Sequence, residues 1–310
     1  MIVCLGEILI DFVSMENGCG LAESSGFLKA AGGAPANVAA GIAKLGGKSA
    51  FLGKVGADPF GDYLIETLEA CGVETRGIVR DHDARTTLAF VCLTASGERD
   101  FVFYRNPGAD QLYAISDIDE QLIRCASIFH FGTVSMTTEP SRTATLYAAT
   151  VAKSHGCLIS FDPNLRLNLW PDRESAKTAF YEGARLADIV KASEEELDWL
   201  PESVTPKILL VTKGAAGCEW YIPGDSAVVP GYLVNTVDTT GAGDAFHAAV
   251  LTQIAANPAI LTNPDAITAM CRFANAAGAL ATTGKGGIPC LPYRQEVERF
   301  LDISLPNCTP

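Results

Sequence analysis

The segment VDTTGAGDAF at residues 237–246 sets two threonines, two glycines and a carboxylate where an apolar helix begins. Ser and Thr ahead of an apolar run are helix-start signals, and an acid in the first turn complements the positive end of the helix dipole. That accounts for Thr240 and Asp244 but not for the spacing Gly241-Ala242-Gly243. Small residues there let a second molecule approach the backbone, and the free N–H groups of a first turn suit an anion, above all a phosphate. A carboxylate beside a phosphate is repulsive unless a metal neutralises the site or the carboxylate handles a proton. A capped helix and a phosphate site with a base both fit this segment taken alone.

Three other stretches carry residues fit for binding. Gly32-Gly33 precedes Ala-Pro-Ala-Asn37 at the start of another helix, with Pro35 near its first position. It reads as a turn feeding a helix, or as backbone N–H groups and an Asn amide for a polyhydroxyl ligand, with Asp11 after the first strand as a further acceptor. DPNLR at 162–166 follows the strand LISF, which puts Asn164 and Arg166 where strand ends face a cleft; a turn explains DPN but not the arginine. TKGAAG at 212–217 is a glycine-bounded turn suited to close backbone approach to a nucleotide. GGKS at 46–49 is no Walker A loop, because the position five before Gly47 is Ile42, and it reads as a helix-ending glycine turn. No GxGxxG follows a strand, which leaves nicotinamide and flavin chemistry without support.

The elements that must hold these stretches alternate. Short apolar runs such as IVCLGEILI, LISFDPN and KILLVTKG are interleaved with helical patterns, which predicts an α/β fold with a mostly parallel sheet covered on both faces. Residues 86–106 break the rhythm with two strands joined by a turn at Ala95-Ser96-Gly97-Glu98, apolar on both faces. Such a hairpin should be covered on both sides, as a lid over substrate with its outer face against a partner chain or the core. The tail SLPNCTP reads as loose.

Of the 310 residues, 48% are hydrophobic and 19% charged, enough for a large core, and the net charge of −13 argues against nucleic acid or an anionic membrane as partner. Ten cysteines show no CxxC pair and read as buried thiols in a reducing compartment, and four histidines show no zinc-binding spacing. Met1 leads straight into IVCLGEILIDF without a basic stretch, and no run reaches the length of a membrane span, so the expected location is the cytoplasm.

Together, GGAPANVAAGIAKLGG, DPNLR and DTTGAGDAF resemble the two signatures and central segment of the ribokinase/PfkB family of sugar kinases. GEILIDFV, LGKVGADPFG, FYRNPGAD and KASEEE look most like its bacterial and plant-type fructokinases, and the likeness runs from about residue 3 to 295. The resemblance implies a single ribokinase-like domain over 1–310, a three-layer α/β/α body with a small β-sheet lid from about 11–30 and 85–108. It implies transfer of the γ-phosphoryl of MgATP to a sugar hydroxyl. Asp244 would be the general base, and Gly241, Ala242, Gly243 and the Asp244 N–H the anion hole.

Other roles carry over position by position. Asp11, Gly32, Gly33, Asn37, Arg105 and Arg166 match the sugar site, with Arg166 also near the transferring phosphoryl. Asn164, Ser193, Thr212, Gly214, Gly217 and Asn275 match the nucleotide side; Ser193 stands where the family's NxxE motif usually has asparagine. Glu196 matches the glutamate that organises Mg²⁺ through water, and Asp238 a monovalent-cation ligand, which makes K⁺ activation an expectation. A homodimer through the lid is implied as well. Fructose is the expected acceptor, 2-keto-3-deoxygluconate the rival, its carboxylate using Arg105 and Arg166, and a non-catalytic sugar-binding regulator the alternative of a different class.

Overall fold

The computed structural model describes residues 1–93 and 99–304; the turn expected at Ala95-Ser96-Gly97-Glu98 and all but the first residue of the tail SLPNCTP lie outside them. The chain opens with β1 (Ile2–Leu5), β2 (Leu9–Asn17), β3 (Phe27–Gly32), α1 (Ala34–Lys44), β4 (Ser49–Gly56), α2 (Pro59–Cys71), β5 (Ile78–Asp81), β6 (Leu88–Leu93) and β7 (Arg99–Tyr104). It continues through α3 (Glu120–Arg124), β8 (Ile128–Gly132), α4 (Ser141–Ser154), β9 (Leu158–Asp162), α5 (Arg173–Leu186), β10 (Ile189–Ser193) and α6 (Glu194–Leu197). Last come β11 (Ile208–Thr212), β12 (Gly217–Ile222), β13 (Asp225–Pro230), α7 (Ala242–Ala256), α8 (Pro264–Ala281) and α9 (Arg294–Ser304).

Nine strands form one sheet in the order β13-β12-β11-β10-β9-β8-β1-β4-β5, parallel from β11 to β5 with an antiparallel hairpin at the β13 edge. Its strands are apolar on both faces because both faces are covered. In β1, Ile2 and Cys4 enter the core shared with α1, α2, α7 and α8, while Val3 and Leu5 enter the opposite core with α3, α4 and α5. From β1 the chain builds outward in one direction through β4 and β5 and in the other through β8 to β13, and ligands collect in the crevice beyond the strand ends where such a sheet reverses.

The run IVCLGEILI is not one strand. Gly6-Glu7-Ile8 carries the chain from β1 in the large sheet to β2 in a second, four-stranded sheet of order β3-β2-β6-β7, so Asp11 lies inside a strand of the small sheet rather than just after the first strand. On one face of this sheet, Ala89 and Val91 are buried and Phe101 and Phe103 line a pocket. On the other, Phe12 stacks on Phe90 with ring centroids 5.0 Å apart and meets Phe60 of α2 edge-on. That outer face is covered only in part, since Val102 is 43% and Tyr104 65% exposed.

Local chemistry sets the helix ends. Asp58 starts α2 by accepting from the N–H groups of Phe60 and Gly61, and the same carboxylate accepts from Thr86 N–H and Oγ1, tying the helix to the entry of β6. GGKS follows the end of α1, where the N–H groups of Gly46 and Gly47 return to the carbonyls of Ala43 and Ile42. Between α1 and α7 the approach is close, because a Cβ on Gly41 would come within 2.7 Å of the Ala248 methyl. Asn37 and Asp244 lie four residues before those two positions, one turn along each helix.

Beneath α7, His130 Nδ1 meets Ser160 Oγ at 3.1 Å and Ser160 Oγ meets His247 Nε2 at 2.7 Å, joining β8, β9 and α7. Burial pushes His247 down to about 3 and His130 well below its ordinary value, so both rings are neutral at physiological pH. No helix among the described residues is long and apolar enough to cross a membrane.

Candidate active site

Helix α7 begins without a side-chain cap. Its N-cap is Gly241, whose φ of 79° is a left-handed conformation open to glycine at little cost. Thr240, a natural cap by type, is turned away, since its N–H and Oγ1 both donate to Asp238 Oδ1, at 2.9 and 2.7 Å. Asp238 Oδ2 accepts from Gly286 N–H at 3.1 Å, so this aspartate braces the entry to α7 from two sides. The capping reading of Thr240 therefore fails; the Ala242 N–H turns back to the Thr239 carbonyl at 3.3 Å, and the N–H groups of Gly243 and Asp244 are left for a ligand.

Asp244 is buried in that turn, and its Oδ2 accepts from Asn37 Nδ2 at 2.7 Å. Burial pushes its carboxyl up to about 6, helped by the nearby Asp162 charge and opposed by the Asn37 hydrogen bond and the Lys191 and Arg166 cations. Lys191 Nζ, on β10, donates to both Asp162 oxygens at 3.0 and 3.1 Å. Burial works to lower Lys191, but the Asp162, Glu196 and Asp244 carboxylates outweigh it and hold the ammonium above its ordinary value. It lies under the first turn of α7, where a Cβ on Gly243 would come within 3.0 Å of Nζ.

Two cavities meet here. The first, of about 210 Å³, takes in Asp11, Gly33, Asn37, Asn164, Arg166, Gly241, Gly243 and Asp244 from the expected set. The second, of about 260 Å³ and more apolar, takes in Thr212, Gly214, Gly217, Ala242, Gly243 and Asn275, with Tyr232 and Phe246 as its aromatic walls. They share Thr239 and Gly243 at the α7 N-terminus. In the second, Asn275 Nδ2 donates to the carbonyls of Val229 and Pro230 at 3.1 and 3.0 Å, Thr212 Oγ1 donates to Ala192 O at 3.3 Å, and a Cβ on Gly217 would overlap the Val229 carbonyl.

Gly32, Arg105, Ser193, Glu196 and Asp238 line neither cavity. A Cβ on Gly32 would collide with the Asp11 carboxylate, so the glycine makes room for that side chain. Arg105 is buried and committed: Nε and Nη2 donate to Asp110 Oδ2 at 2.9 and 2.7 Å, Nη1 to Thr137 Oγ1 at 3.1 Å. Ser193 and Glu196 form a reciprocal cap on α6. Glu196 Oε1 also accepts from Leu165 N–H at 2.7 Å, anchoring the loop that holds Asn164, in the left-handed region at φ 42°, and Arg166. Arg166 rests over the Phe101 ring at 5.7 Å, so the small sheet and the large one meet across the first cavity.

The pattern of the pfkB family carbohydrate kinase matches residues 1–294. The chain belongs to that family. It is 48% identical to "Fructokinase-1" of Zea mays over 315 residues, covering 97% of this chain and 98% of the relative. A fructokinase with bound ATP from Xylella fastidiosa superposes with a TM-score of 0.89 at 37% identity, covering 97% of this chain and 98% of that one. Another, from Vibrio cholerae in a form with fructose, ADP and calcium, gives 0.87 at 34% identity, covering 97% and 98%. The α/β/α body and small second sheet are therefore a ribokinase-like carbohydrate-kinase fold.

Three site residues escaped the motif reading. Lys191 sits in an apolar strand, where a lysine ordinarily snorkels; Asp162 was absorbed by a turn; Glu7 was hidden in an apolar run. For the first two, the available signal was a pair of opposite charges in adjacent parallel strands, Asp162 at the last residue of β9 and Lys191 at the middle of β10.

A base must be ionised to work, so phosphoryl-transfer kcat/KM should fall as pH drops through about 6, the value to which burial raises Asp244. Lys191→Met removes a cation that favours the carboxylate and should move that limb to higher pH. Initial rates between pH 4.5 and 9 decide it; a wild-type limb at the ordinary aspartate value near 4 would contradict the burial argument.

Proposed function

We propose that this kinase transfers the γ-phosphoryl group of MgATP to the 6-hydroxyl of D-fructose. One observation carries the chemistry: the two cavities join at the uncapped N-terminus of α7, with Asp244 on the acceptor side of the join. Asp244 takes the hydroxyl proton, the sugar oxygen bonds to the γ-phosphorus, and the bond to the ADP oxygen breaks. The N–H groups of Gly243 and Asp244 and the Arg166 guanidinium face the charge on the phosphoryl oxygens, so the acceleration comes from position and fixed dipoles.

Support for fructose is twofold. Relatives of nearly the same length at 48% identity are named fructokinases, and the Vibrio cholerae structure is described with fructose bound. The acceptor cavity is lined by three carboxyl groups, Glu7, Asp11 and Asp244, while Arg105, which an acidic sugar would have used, is paired with Asp110. An anionic acceptor such as 2-keto-3-deoxygluconate is left with Arg166 alone of the two arginines it was expected to use. The intact Asp244 and Asn37 pair argues against a catalytically silent regulator.

Among the described residues no three His, Cys, Asp or Glu side chains gather into a metal cage. Magnesium commonly keeps its waters and rides on substrate phosphates with one or two carboxylates, which fits Glu196, on α6 just past the end of β10, as a partner through water. When bound it would neutralise phosphate charge. Potassium is proposed to act through the loop that Asp238 braces, and the free thiols of Cys4, Cys125 and Cys157 fit a cytoplasmic setting.

ADP release from MgATP should be strongest with fructose among fructose, 2-keto-3-deoxygluconate, ribose, glucose and adenosine, and higher with K⁺ than without. Preference for the acidic sugar would overturn the acceptor assignment, and silence across the panel would favour the regulator. The part-covered face bearing Val102 and Tyr104 is proposed to pair with a second copy. Light scattering should give twice the 32.7 kDa chain mass, falling to one chain mass in Tyr104→Glu; a wild-type monomer would contradict it.

A further inference from the structure

Glu7 has a part that neither the fold nor the transfer step explains. It follows β1 in the crossing to the small sheet, is only 4% exposed, and belongs to the acceptor cavity wall with Leu9, Asp11, Ala34 and Asn37. One oxygen is used structurally, Oε1 accepting from the Ala34 N–H at 3.0 Å in the first turn of α1. The other is not. Among the described residues, the buried side-chain polar atoms without a hydrogen-bond partner are Glu7 Oε2, Asn37 Oδ1 and His247 Nδ1, and the first two belong to residues of this one cavity. Buried polar atoms are nearly always paired, so two orphans on one cavity wall point to a polar ligand.

We propose that Glu7 is a sugar-binding residue of the acceptor subsite, its Oε2 accepting a hydrogen bond from a hydroxyl of the ketose. This rests on the fructokinase reading. Burial pushes Glu7 up to about 7, with the Ala34 N–H and Arg105 pulling it down and Asp110 pushing it up, and in its ionised form Oε2 is an acceptor that an amide nitrogen does not replace. Asn37, whose Oδ1 is the second orphan of this wall, is already tied to Asp244 through Nδ2. The contact that holds the sugar is thereby one residue away from the base that activates it.

Glu7→Gln separates this role from a merely structural one, because the amide oxygen still accepts from Ala34 N–H while the acidic oxygen is gone. The expected result is a KM for fructose raised about tenfold, the size of one lost hydrogen bond to an ionisable group, with KM for ATP and kcat within about twofold. A wild-type fructose KM in Glu7→Gln would overturn the proposal and leave Glu7 as an anchor for α1. Parallel rises in KM for fructose and ATP would overturn it too, as a sign of general damage. Inactivity of the wild-type enzyme on fructose would instead sink the fructokinase reading, and this proposal with it.

Discussion

The free N–H groups at the start of α7 constrain the rest of the molecule. A helix end buried without partners is unfavourable, and here the obvious partner, the Thr240 hydroxyl, is held by Asp238 instead. The chain thus keeps a positive dipole end open inside a low-dielectric cleft, where an anion gains most from it. Everything that fixes the direction of α7 then fixes the site. The close approach of Gly41 to Ala248 sets the distance between α1 and α7, and one turn along each helix that distance becomes the Asn37–Asp244 hydrogen bond.

Charge in the cleft is arranged in pairs that constrain one another. Lys191 and Asp162 form a buried ion pair, and such pairs are weak evidence for stability because desolvation offsets most of their attraction. What this pair does is place a cation below the first turn of α7 and beside Asp244, where it holds a buried carboxyl within reach of ionisation near neutral pH. Glu196 adds the second tie, gripping Leu165 N–H so that Asn164 and Arg166 face the acceptor cavity from the end of β9. Ionisation of the base, direction of the dipole and position of the arginine thus rest on contacts between the ends of neighbouring parallel strands.

The sequence made the parallel body legible because strands buried on both faces read as short unbroken apolar runs between amphipathic helices. It misled at residues 2–10 for the same reason: two strands of different sheets, both buried, merge into one apolar run, and the crossing at Gly6-Glu7-Ile8 has no polar break except Glu7 itself. The acid that looked like an interruption proved to be part of the site. The glycine spacing of GAGD marked the uncapped start of α7, since no capped helix needs it, whereas the brace Asp238, six residues before Asp244, gave no sign that it would draw the hydroxyl of Thr240 away from the helix. Arg105 shows the opposite failure. Its place in FYRNPGAD pointed to the sugar, but Asp110, five residues on and just as buried, takes its guanidinium. Pairing of that kind depends on a turn, not on periodicity, so the pattern of the chain is silent about it.

Asp244→Asn tests the central claim most directly, because the amide keeps an acceptor for Asn37 and nearly the same volume while losing the ability to take a proton. Single-turnover phosphoryl transfer, measured beside calorimetric binding of ATP and fructose, should fall ~10²-fold or more with both affinities within a few-fold of wild type. Transfer at near wild-type rate in this variant, with binding intact, would remove Asp244 from the chemistry and leave the α7 N-terminus as a binding nest only.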